Sequence, residues 1–288
     1  MKLPEDLDNS RLETYNECAM KYRNHYVLNL ETPKHLNTRF SSWLIHLPIT
    51  ELYKNGLGWE PTEKEWTSWL KEIAITPEEA NVKTNAVYSI ENAKRILAFY
   101  RERFASDFDR FEFLGVEDYL LDETIHPTIS FGSKPDIRAK EKATGLLWTL
   151  EIKFSDWDFI LEGAPMNPQF LGQVSTTKGH GVIVTLIQPS GAKWGNFGAV
   201  REEIVPKASE LNQWRSETSF KMDQVRKSHL NDVWPRSTPG ACSNYGGCFF
   251  LGLCVAGHPP EMLARMPRVG DPLSYLGKLE LSEGNNVS

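Results

Sequence analysis

The stretch FGSKPDIRAKEKATGLLWTLEIKFSD, from Phe131 to Asp156, decides how the fold of this chain is predicted. It contains two runs with the composition of β-strands, PDIRAK and LLWTLEIKF, separated by EKATG. The separating segment is polar and contains Gly145, which is typical of a hairpin turn. The sequence therefore predicts two antiparallel strands joined by a tight turn.

The second strand carries two charged residues, Glu151 and Lys153, among apolar ones. Side chains alternate along a strand, so the two faces of this strand have different compositions. One face is entirely apolar and is predicted to pack on the core: Trp148, Leu150, Ile152 and Phe154. The other face presents the charges: Leu147, Thr149, Glu151 and Lys153.

Asp136 and Glu151 are expected to be near neighbours across the hairpin, because the point midway between them falls inside EKATG. Their Cβ atoms would then be roughly 5 Å apart. Two carboxylates at that distance repel each other unless a cation lies between them. With Lys153 beside them, these groups could hydrolyse a phosphodiester through a metal-activated water. A solvent-exposed hairpin face with a surface Glu–Lys pair is the alternative interpretation, and the residues alone leave both open.

Helical patterns precede the hairpin. DNSRLETYNECAMKYRNHYVL predicts a helix with Ser10 as its N-cap and Glu13 completing a capping box. Further helices are predicted at residues 40–55 and over TEKEWTSWLKEIA. Apolar residues at a spacing of three to four predict a long amphipathic helix: Ile90, Ala93, Leu97, Tyr100 and Phe104.

From about residue 112 the pattern changes to strands, in FEFLGVEDYLL, HPTISF, the hairpin itself, GVIVTLI and FGAVREEIV. Two helices are predicted among and after these strands, in NPQFLGQVSTTKG and KASELNQWRSETSFKMDQVRKSHL. This order predicts an α/β (α+β) fold, with a small mixed sheet flanked by helices and a helical N-terminal part.

The composition excludes some classes of protein. With 288 residues, 40% hydrophobic and 24% charged, the chain is typical of an ordinary globular protein. No stretch approaches the roughly 18 apolar residues of a membrane helix, and MKLPEDLDNS lacks the apolar run of a secretory signal. A cytoplasmic protein without a membrane partner is therefore expected. The net charge of −6 argues against nonspecific coating of nucleic acid.

Three of the four cysteines, Cys242, Cys248 and Cys254, form a C-x5-C-x5-C array, and Cys18 lies far upstream. Four thiolates are the ligands of a tetrahedral zinc ion or of a [4Fe–4S] cluster. Zinc motifs usually come as two close pairs, which a one-plus-three division fits poorly. Four free buried cysteines are the remaining alternative.

Pro135-Asp136 followed by Glu151-Ile152-Lys153 resembles the signature of the PD-(D/E)XK nuclease superfamily. More narrowly, the chain resembles the RecB-like branch with a four-cysteine iron–sulfur cluster, the AddB and CRISPR-adaptation nuclease type. Four segments are similar to that branch in order: SRLETYNECAMKYRNHYVL, RFSSWLIHLPITELY, FLGVEDYLL and NPQFLGQ. The resemblance spans roughly residues 10–255. Gln173 stands where the branch usually has tyrosine, and the glycine that often precedes its histidine helix is absent.

The resemblance implies a restriction-endonuclease-like core with a metal site. Periodicity alone makes His46 a buried core histidine, whereas the resemblance makes it a ligand. His46, Asp136, Glu151 and the carbonyl of Ile152 would hold Mg²⁺ or Mn²⁺, and the imidazole favours manganese. The implied catalytic residues are Asp136, Glu151, Lys153 and Gln169. Glu117 would lie on the acidic strand, either reaching the site or forming an ion pair nearby.

The resemblance also implies a [4Fe–4S] cluster on Cys18, Cys242, Cys248 and Cys254, with Zn²⁺ as the alternative. The implied function is a metal-dependent DNA nuclease, an exonuclease of recombination, repair or phage DNA metabolism. DNA ends or single strands would be its substrate, and other recombination or replication proteins its partners. In a phage-encoded protein the location would be the host cytoplasm.

The implied organisation has four parts. Residues 1–110 form a helical N-terminal part with Cys18 and His46, and residues 111–235 form the nuclease core. Residues 236–260 form the cysteine segment that closes onto Cys18, and residues 261–288 form a C-terminal tail. Two alternatives to the nuclease remain: a catalytically weak DNA-binding or assembly module with the same fold, and a zinc-containing enzyme acting on RNA or a small phosphoester.

Overall fold

The computed structural model describes residues 3–30, 36–72, 90–155, 159–188, 197–237, 239–243 and 247–266. The chain forms two compact units. Unit 1 comprises Met1–Lys34, His126–Ser130 and Glu217–Ser288, and unit 2 comprises His35–Ile125 and Phe131–Ser216. The predicted boundaries near residues 110, 235 and 260 stay predictions. Among the described helices, none combines the length and the apolar run that crossing a bilayer requires.

The elements follow one another in an order close to the predicted one. The first part of the chain contains β1 Asp6–Asp8, α1 Asn9–Glu17, α2 Ala19–Tyr22, a π-helix Arg23–Val27, α3 Leu36–Asn55, α4 Glu63–Glu72, α5 Ile90–Arg103 and α6 Asp107–Arg110. The middle part contains β2 Phe111–Val116, β3 Leu120–Asp122, β4 Ser130–Ser133, β5 Ile137–Glu141 and β6 Leu147–Phe154. Then come α7 Phe159–Glu162, a 3-10 helix Ala164–Met166, α8 Pro168–Thr177, β7 Gly181–Gln188, β8 Gly198–Ile204, α9 Ala208–Asn231, α10 Pro239–Ser243, α11 Leu251–Val255 and α12 Pro260–Arg265.

Five strands of unit 2 form a mixed sheet in the order β2-β5-β6-β7-β8. The pair β6–β7 is parallel, and the other neighbours are antiparallel. The predicted hairpin is β5–β6, in which Ile137 pairs with Leu150 and Arg138 pairs with Thr149. One step further along this register, Asp136 faces Glu151. The predicted α/β class, with a mixed sheet and flanking helices, is confirmed.

Strand β6 is central, and both of its faces are buried. Its apolar face packs as predicted, since Trp148, Leu150 and Ile152 join a core cluster that also contains residues of α3 and α5. The charged face is also shielded from solvent, because Thr149 is fully buried and Glu151 is only 2% exposed. The alternative of a solvent-exposed hairpin face is therefore wrong, because α8 packs over this side of the strand.

Helix α8 belongs to the crossover that parallel strands require between β6 and β7. Asn167 is the N-cap of α8, since its side chain accepts a hydrogen bond from the Gln169 N–H at 2.9 Å. Pro168 occupies the first helical position, which suits proline. The helix ends at Thr177, and the residue that follows it, Lys178, is a C-cap with a left-handed φ of 52°. Residues four apart share a face of a helix, so α8 directs the side chains of both Gln169 and Gln173 at β6.

The N-terminal helix differs from the prediction. Asp8, not Ser10, is the N-cap of α1, because an Asp8 carboxylate oxygen accepts the Arg11 N–H at 2.8 Å. The single predicted helix is also interrupted, since Cys18 has extended backbone angles between α1 and α2. Cys18 therefore lies at the break between α1 and α2 and belongs to neither helix.

Candidate active site

Three side chains of unit 2 converge beside the β5–β6 hairpin. His46 on α3 has its Nε2 atom 3.0 Å from an Asp136 carboxylate oxygen and its Nδ1 atom 3.4 Å from a Glu117 carboxylate oxygen. One ligand atom from each of these residues lies within 4.8 Å of the others. Among the described residues, this is the one group of three histidine, cysteine or carboxylate side chains that meets this distance.

Strand ends and backbone hydrogen bonds hold the two carboxylates. Asp136 directly precedes β5, and its second oxygen accepts the Ile152 N–H at 2.7 Å. Glu117 directly follows β2, and its N–H donates to the Asp136 carbonyl at 3.0 Å. Glu117 has a left-handed φ of 59°, a conformation that costs free energy for a non-glycine residue and is found at functional sites. Lys134 forms an ion pair with the Glu117 carboxylate.

Glu151 forms the adjoining half of the site. One of its carboxylate oxygens contacts the Lys153 Nζ atom at 2.7 Å and accepts a hydrogen bond from the Gln169 amide at 2.7 Å. The other oxygen accepts a hydrogen bond from the Gln173 amide, also at 2.7 Å. Lys153 in turn donates to the Gln169 side-chain carbonyl at 2.9 Å. The carboxylate is therefore held by a closed network of hydrogen bonds and one ion pair.

The protonation of the site reflects its burial and its excess of carboxylates. Burial lowers the pKa of His46, but the neighbouring Asp136 and Glu117 carboxylates outweigh it and raise that pKa to about 9. Burial would raise the pKa of Asp136, whereas His46 and Lys153 lower it, and the lowering prevails. For Glu151, burial and the Asp136 charge raise the pKa more than Lys153 and Gln173 lower it. Without a metal ion, a protonated His46 therefore supplies positive charge between the carboxylates.

The structure brings the residues predicted from the sequence into one site. Asp136, Glu151, Lys153 and Gln169 are connected through direct hydrogen bonds and through the Ile152 backbone, and His46 adjoins Asp136. Ile152 contacts the site through its N–H, and the role predicted for its carbonyl stays a prediction.

Glu117 reaches the site, which is one of the two outcomes that the resemblance left open, and its carboxylate lies against the imidazole of His46. The contact of Gln173 with Glu151 was not predicted. A signal for it was present, since Gln169 and Gln173 are four residues apart in a predicted helix and therefore share a face.

All four cysteines lie in unit 1, and none forms a disulfide. The Cys248 N–H donates to the Cys242 carbonyl at 2.7 Å, which closes the loop between them. Burial is the main cause that raises the pKa of the Cys248 thiol, and Cys242 and Cys18 add to it. Burial, followed by Cys248 and Cys18, likewise raises the pKa of Cys254. The four thiols are thus close enough for their charges to interact.

Comparisons with known proteins locate the fold. No protein-family model matches the sequence. No curated protein matches it either. Among solved structures, a protein from Eubacterium rectale described as "Putative exonuclease" aligns with 83% of this chain and 86% of its own, at a TM-score of 0.50 and 12% identity. The two chains share a fold. At that identity, the similarity concerns the fold alone.

Two further structures align less well. SSO0001 aligns with 86% of this chain and 93% of its own, at 13% identity and a TM-score of 0.34. LHK-Exo in complex with dAMP aligns with 67% of this chain and 96% of its own, at 14% identity and a TM-score of 0.31; LHK-Exo is an alkaline exonuclease from Laribacter hongkongensis. Both TM-scores are below 0.5.

Proposed function

We propose that this protein is a divalent-metal-dependent deoxyribonuclease that hydrolyses phosphodiester bonds. The observation that carries the proposal is the convergence of His46, Glu117 and Asp136 beside the Glu151–Lys153 pair. The fold shared with a protein described as "Putative exonuclease" supports it and favours action on DNA ends. The resemblance of the sequence to PD-(D/E)XK nucleases supports the same assignment of residues.

The donor atoms fit a divalent ion. Carboxylate oxygens are the ligands that Mg²⁺ and Mn²⁺ prefer, and an imidazole among them favours Mn²⁺. His46, Asp136 and Glu151 would hold the ion with the Ile152 carbonyl, and Glu117 is near enough to His46 and Asp136 to take part. When bound, the ion would polarise a phosphate oxygen and lower the pKa of a coordinated water.

The residues of the chain supply the remaining functions. Lys153 is held between the Glu151 carboxylate and the Gln169 carbonyl, so its ammonium group is already positioned to stabilise negative charge on the phosphate. Gln169 bonds to both partners of that ion pair and fixes their separation. His46 must lose its proton before it can act as a ligand. Asp136 is held by the Ile152 N–H, which leaves the oxygen facing His46 for the ion.

The proposal includes a structural [4Fe–4S] cluster on Cys18, Cys242, Cys248 and Cys254. The one-plus-three division of the cysteines and the resemblance favour such a cluster over a single Zn²⁺ ion, the alternative at the same cysteines. Within unit 1 it would connect the break after α1 to the segment around α10 and α11. Closing so long a loop contributes several kcal/mol, roughly as a disulfide does. A brown protein that absorbs broadly near about 400 nm after anaerobic purification would support iron–sulfur, and a colourless protein with stoichiometric zinc would contradict it.

The proposed substrate is DNA, as free ends or single strands, in recombination, repair or phage DNA metabolism. Proteins of recombination or replication are the proposed partners. We place the enzyme in the cytoplasm, or in the host cytoplasm if it is phage-encoded.

The test is degradation of end-labelled single- and double-stranded DNA with Mn²⁺ or Mg²⁺. Wild type should degrade linear DNA and spare covalently closed circles, whereas Lys153→Ala and Asp136→Ala should be inactive. Lys140→Ala, at an exposed lysine of the same hairpin, is the matched control and should retain activity. Equal degradation by all four proteins would refute the site, and no degradation by wild type with either metal would refute the activity.

One observation favours the second candidate, a catalytically weak DNA-binding or assembly module. Both oxygens of Glu151 already accept hydrogen bonds within the protein, and Glu151 lies outside the group whose ligand atoms are within 4.8 Å. This candidate predicts DNA binding that depends on neither metal nor Asp136, without turnover. Gel-shift measurements beside the degradation assay distinguish the two.

A further inference from the structure

Two glutamine side chains bind the Glu151 carboxylate from one face of α8. Gln169 and Gln173 are one helical turn apart, and each donates its amide to a different carboxylate oxygen at 2.7 Å. Gln173 is only 1% exposed. The Gln169 side chain also accepts a hydrogen bond from Lys153. Among the described residues, the side-chain hydrogen-bond partner of Gln173 is Glu151.

The orientation of the Gln173 amide follows from the chemistry of its partner. A carboxylate that forms an ion pair with Lys153 only accepts hydrogen bonds, so the NH₂ group of Gln173 faces Glu151. Its carbonyl oxygen is then buried without a hydrogen-bond partner among the described residues. An unpaired buried carbonyl is destabilising, and most proteins avoid it. Packing alone would favour an apolar residue here, so an amide at this position indicates a role at Glu151.

Helix α8 is a rigid support for this contact. Phe170 and Val174 belong to a buried cluster with residues of β7. A Cβ atom at Gly172 would lie 2.8 Å from the Phe131 ring, so the helix is already in close contact with its neighbour. Because α8 cannot shift easily, the Gln173 amide has a fixed position relative to β6.

We propose that Gln173 is a positioning residue: its amide holds the Glu151 carboxylate in the orientation that binds a divalent cation. The inference rests on the proposed function and extends it to a residue that does not itself bind the ion. Without the Gln173 amide, the Glu151 oxygen that it binds loses this donor, while Lys153 and Gln169 still attract the other oxygen. The carboxylate would then turn about its terminal bond, and the metal site would lose its fixed geometry.

The test is the affinity of the full-length protein for Mn²⁺ alone, measured by titration calorimetry and by the electron paramagnetic resonance signal of free Mn²⁺. Gln173→Met has a similar size but no donor. Removing a residue that orients a metal ligand typically weakens metal affinity 10–100-fold, and this range is expected here. Thr177→Val is the matched control, since its hydroxyl bonds to the Gln173 backbone carbonyl but not to Glu151. It should bind Mn²⁺ within about twofold of wild type.

The outcomes separate this inference from the proposed function. If Gln173→Met is folded, as judged by thermal unfolding in EDTA, but binds Mn²⁺ like wild type, the positioning role is overturned while the nuclease proposal stands. If Gln173→Met does not fold, the test uses Gln173→Asn, whose shorter amide cannot reach Glu151. The same 10–100-fold loss of Mn²⁺ affinity is then expected. A wild type that binds no Mn²⁺ would overturn both. In DNA degradation at saturating Mn²⁺, kcat should fall in Gln173→Met while the KM for DNA is unchanged.

Discussion

The protonation of His46 makes a quantitative prediction for the metal-free protein. Its pKa is raised from 6.5 to about 9, which corresponds to roughly 3.5 kcal/mol at about 1.4 kcal/mol for each pH unit. The side chain is 24% exposed, so solvent screening reduces the expected contribution to about 2 kcal/mol. Because the folded state binds this proton more tightly than the unfolded state, the stabilisation is fully present below pH 6.5 and is lost as the pH rises through about 9.

The perturbation is His46→Gln, and the assay is urea unfolding in EDTA at pH 6 and at pH 10. The quantity to compare is the difference in the free energy of unfolding between wild type and variant. Groups that titrate in both proteins largely cancel in that difference. It should be about 2 kcal/mol larger at pH 6 than at pH 10. The exposed His180, replaced by glutamine, is the matched control. A difference that is equal at the two pH values would refute the reasoning that the Asp136 and Glu117 carboxylates hold a proton on His46.

Three further predictions follow from other contacts. Binding of Mn²⁺ at pH 7.5 should release about one proton from His46, seen by calorimetry in buffers of different ionisation enthalpy; no release would contradict its role as a ligand. Arg201→Leu should lower the free energy of unfolding by about 3–5 kcal/mol, because it leaves Asp107, 3% exposed, without the two guanidinium contacts of 2.6 and 2.9 Å; a loss below about 1 kcal/mol in urea would contradict this. Gly181→Ala should cost about 1–3 kcal/mol, because its Cβ would lie 2.4 Å from the Ile204 carbonyl oxygen, and an unchanged Tm would show that the strands can separate.

Much of the hairpin could be predicted from the sequence because its determinants are local. Turn residues and strand composition lie within about twenty positions, and they specify the register that places Asp136 opposite Glu151. Alternation along β6 likewise specifies which face packs on the core, as Trp148 and Leu150 confirm. The long helices were predictable for the same reason, since their periodicity is a property of consecutive residues.

The prediction failed in one local detail and in one feature that depends on distant residues. The local detail is the N-cap of α1, which is Asp8, two residues before the predicted Ser10, because the Asp8 carboxylate accepts the Arg11 N–H. The exposure of the charged β6 face could not be predicted either, since an isolated hairpin with this sequence would leave that face in water. Its burial depends on the crossover that returns the chain to β7.

The sequence by itself determined the hairpin, its register and the chemical groups available beside it. Only the tertiary structure decided that His46 and Glu117 meet at Asp136 and that Gln173 binds Glu151. The physical reason is that hydrogen-bond geometry and side-chain alternation act between near neighbours, whereas the packing of α3 and α8 against the sheet depends on the whole buried core. The sequence therefore shows which residue types this site contains, whereas the distances between them depend on how five separate elements pack in the fold.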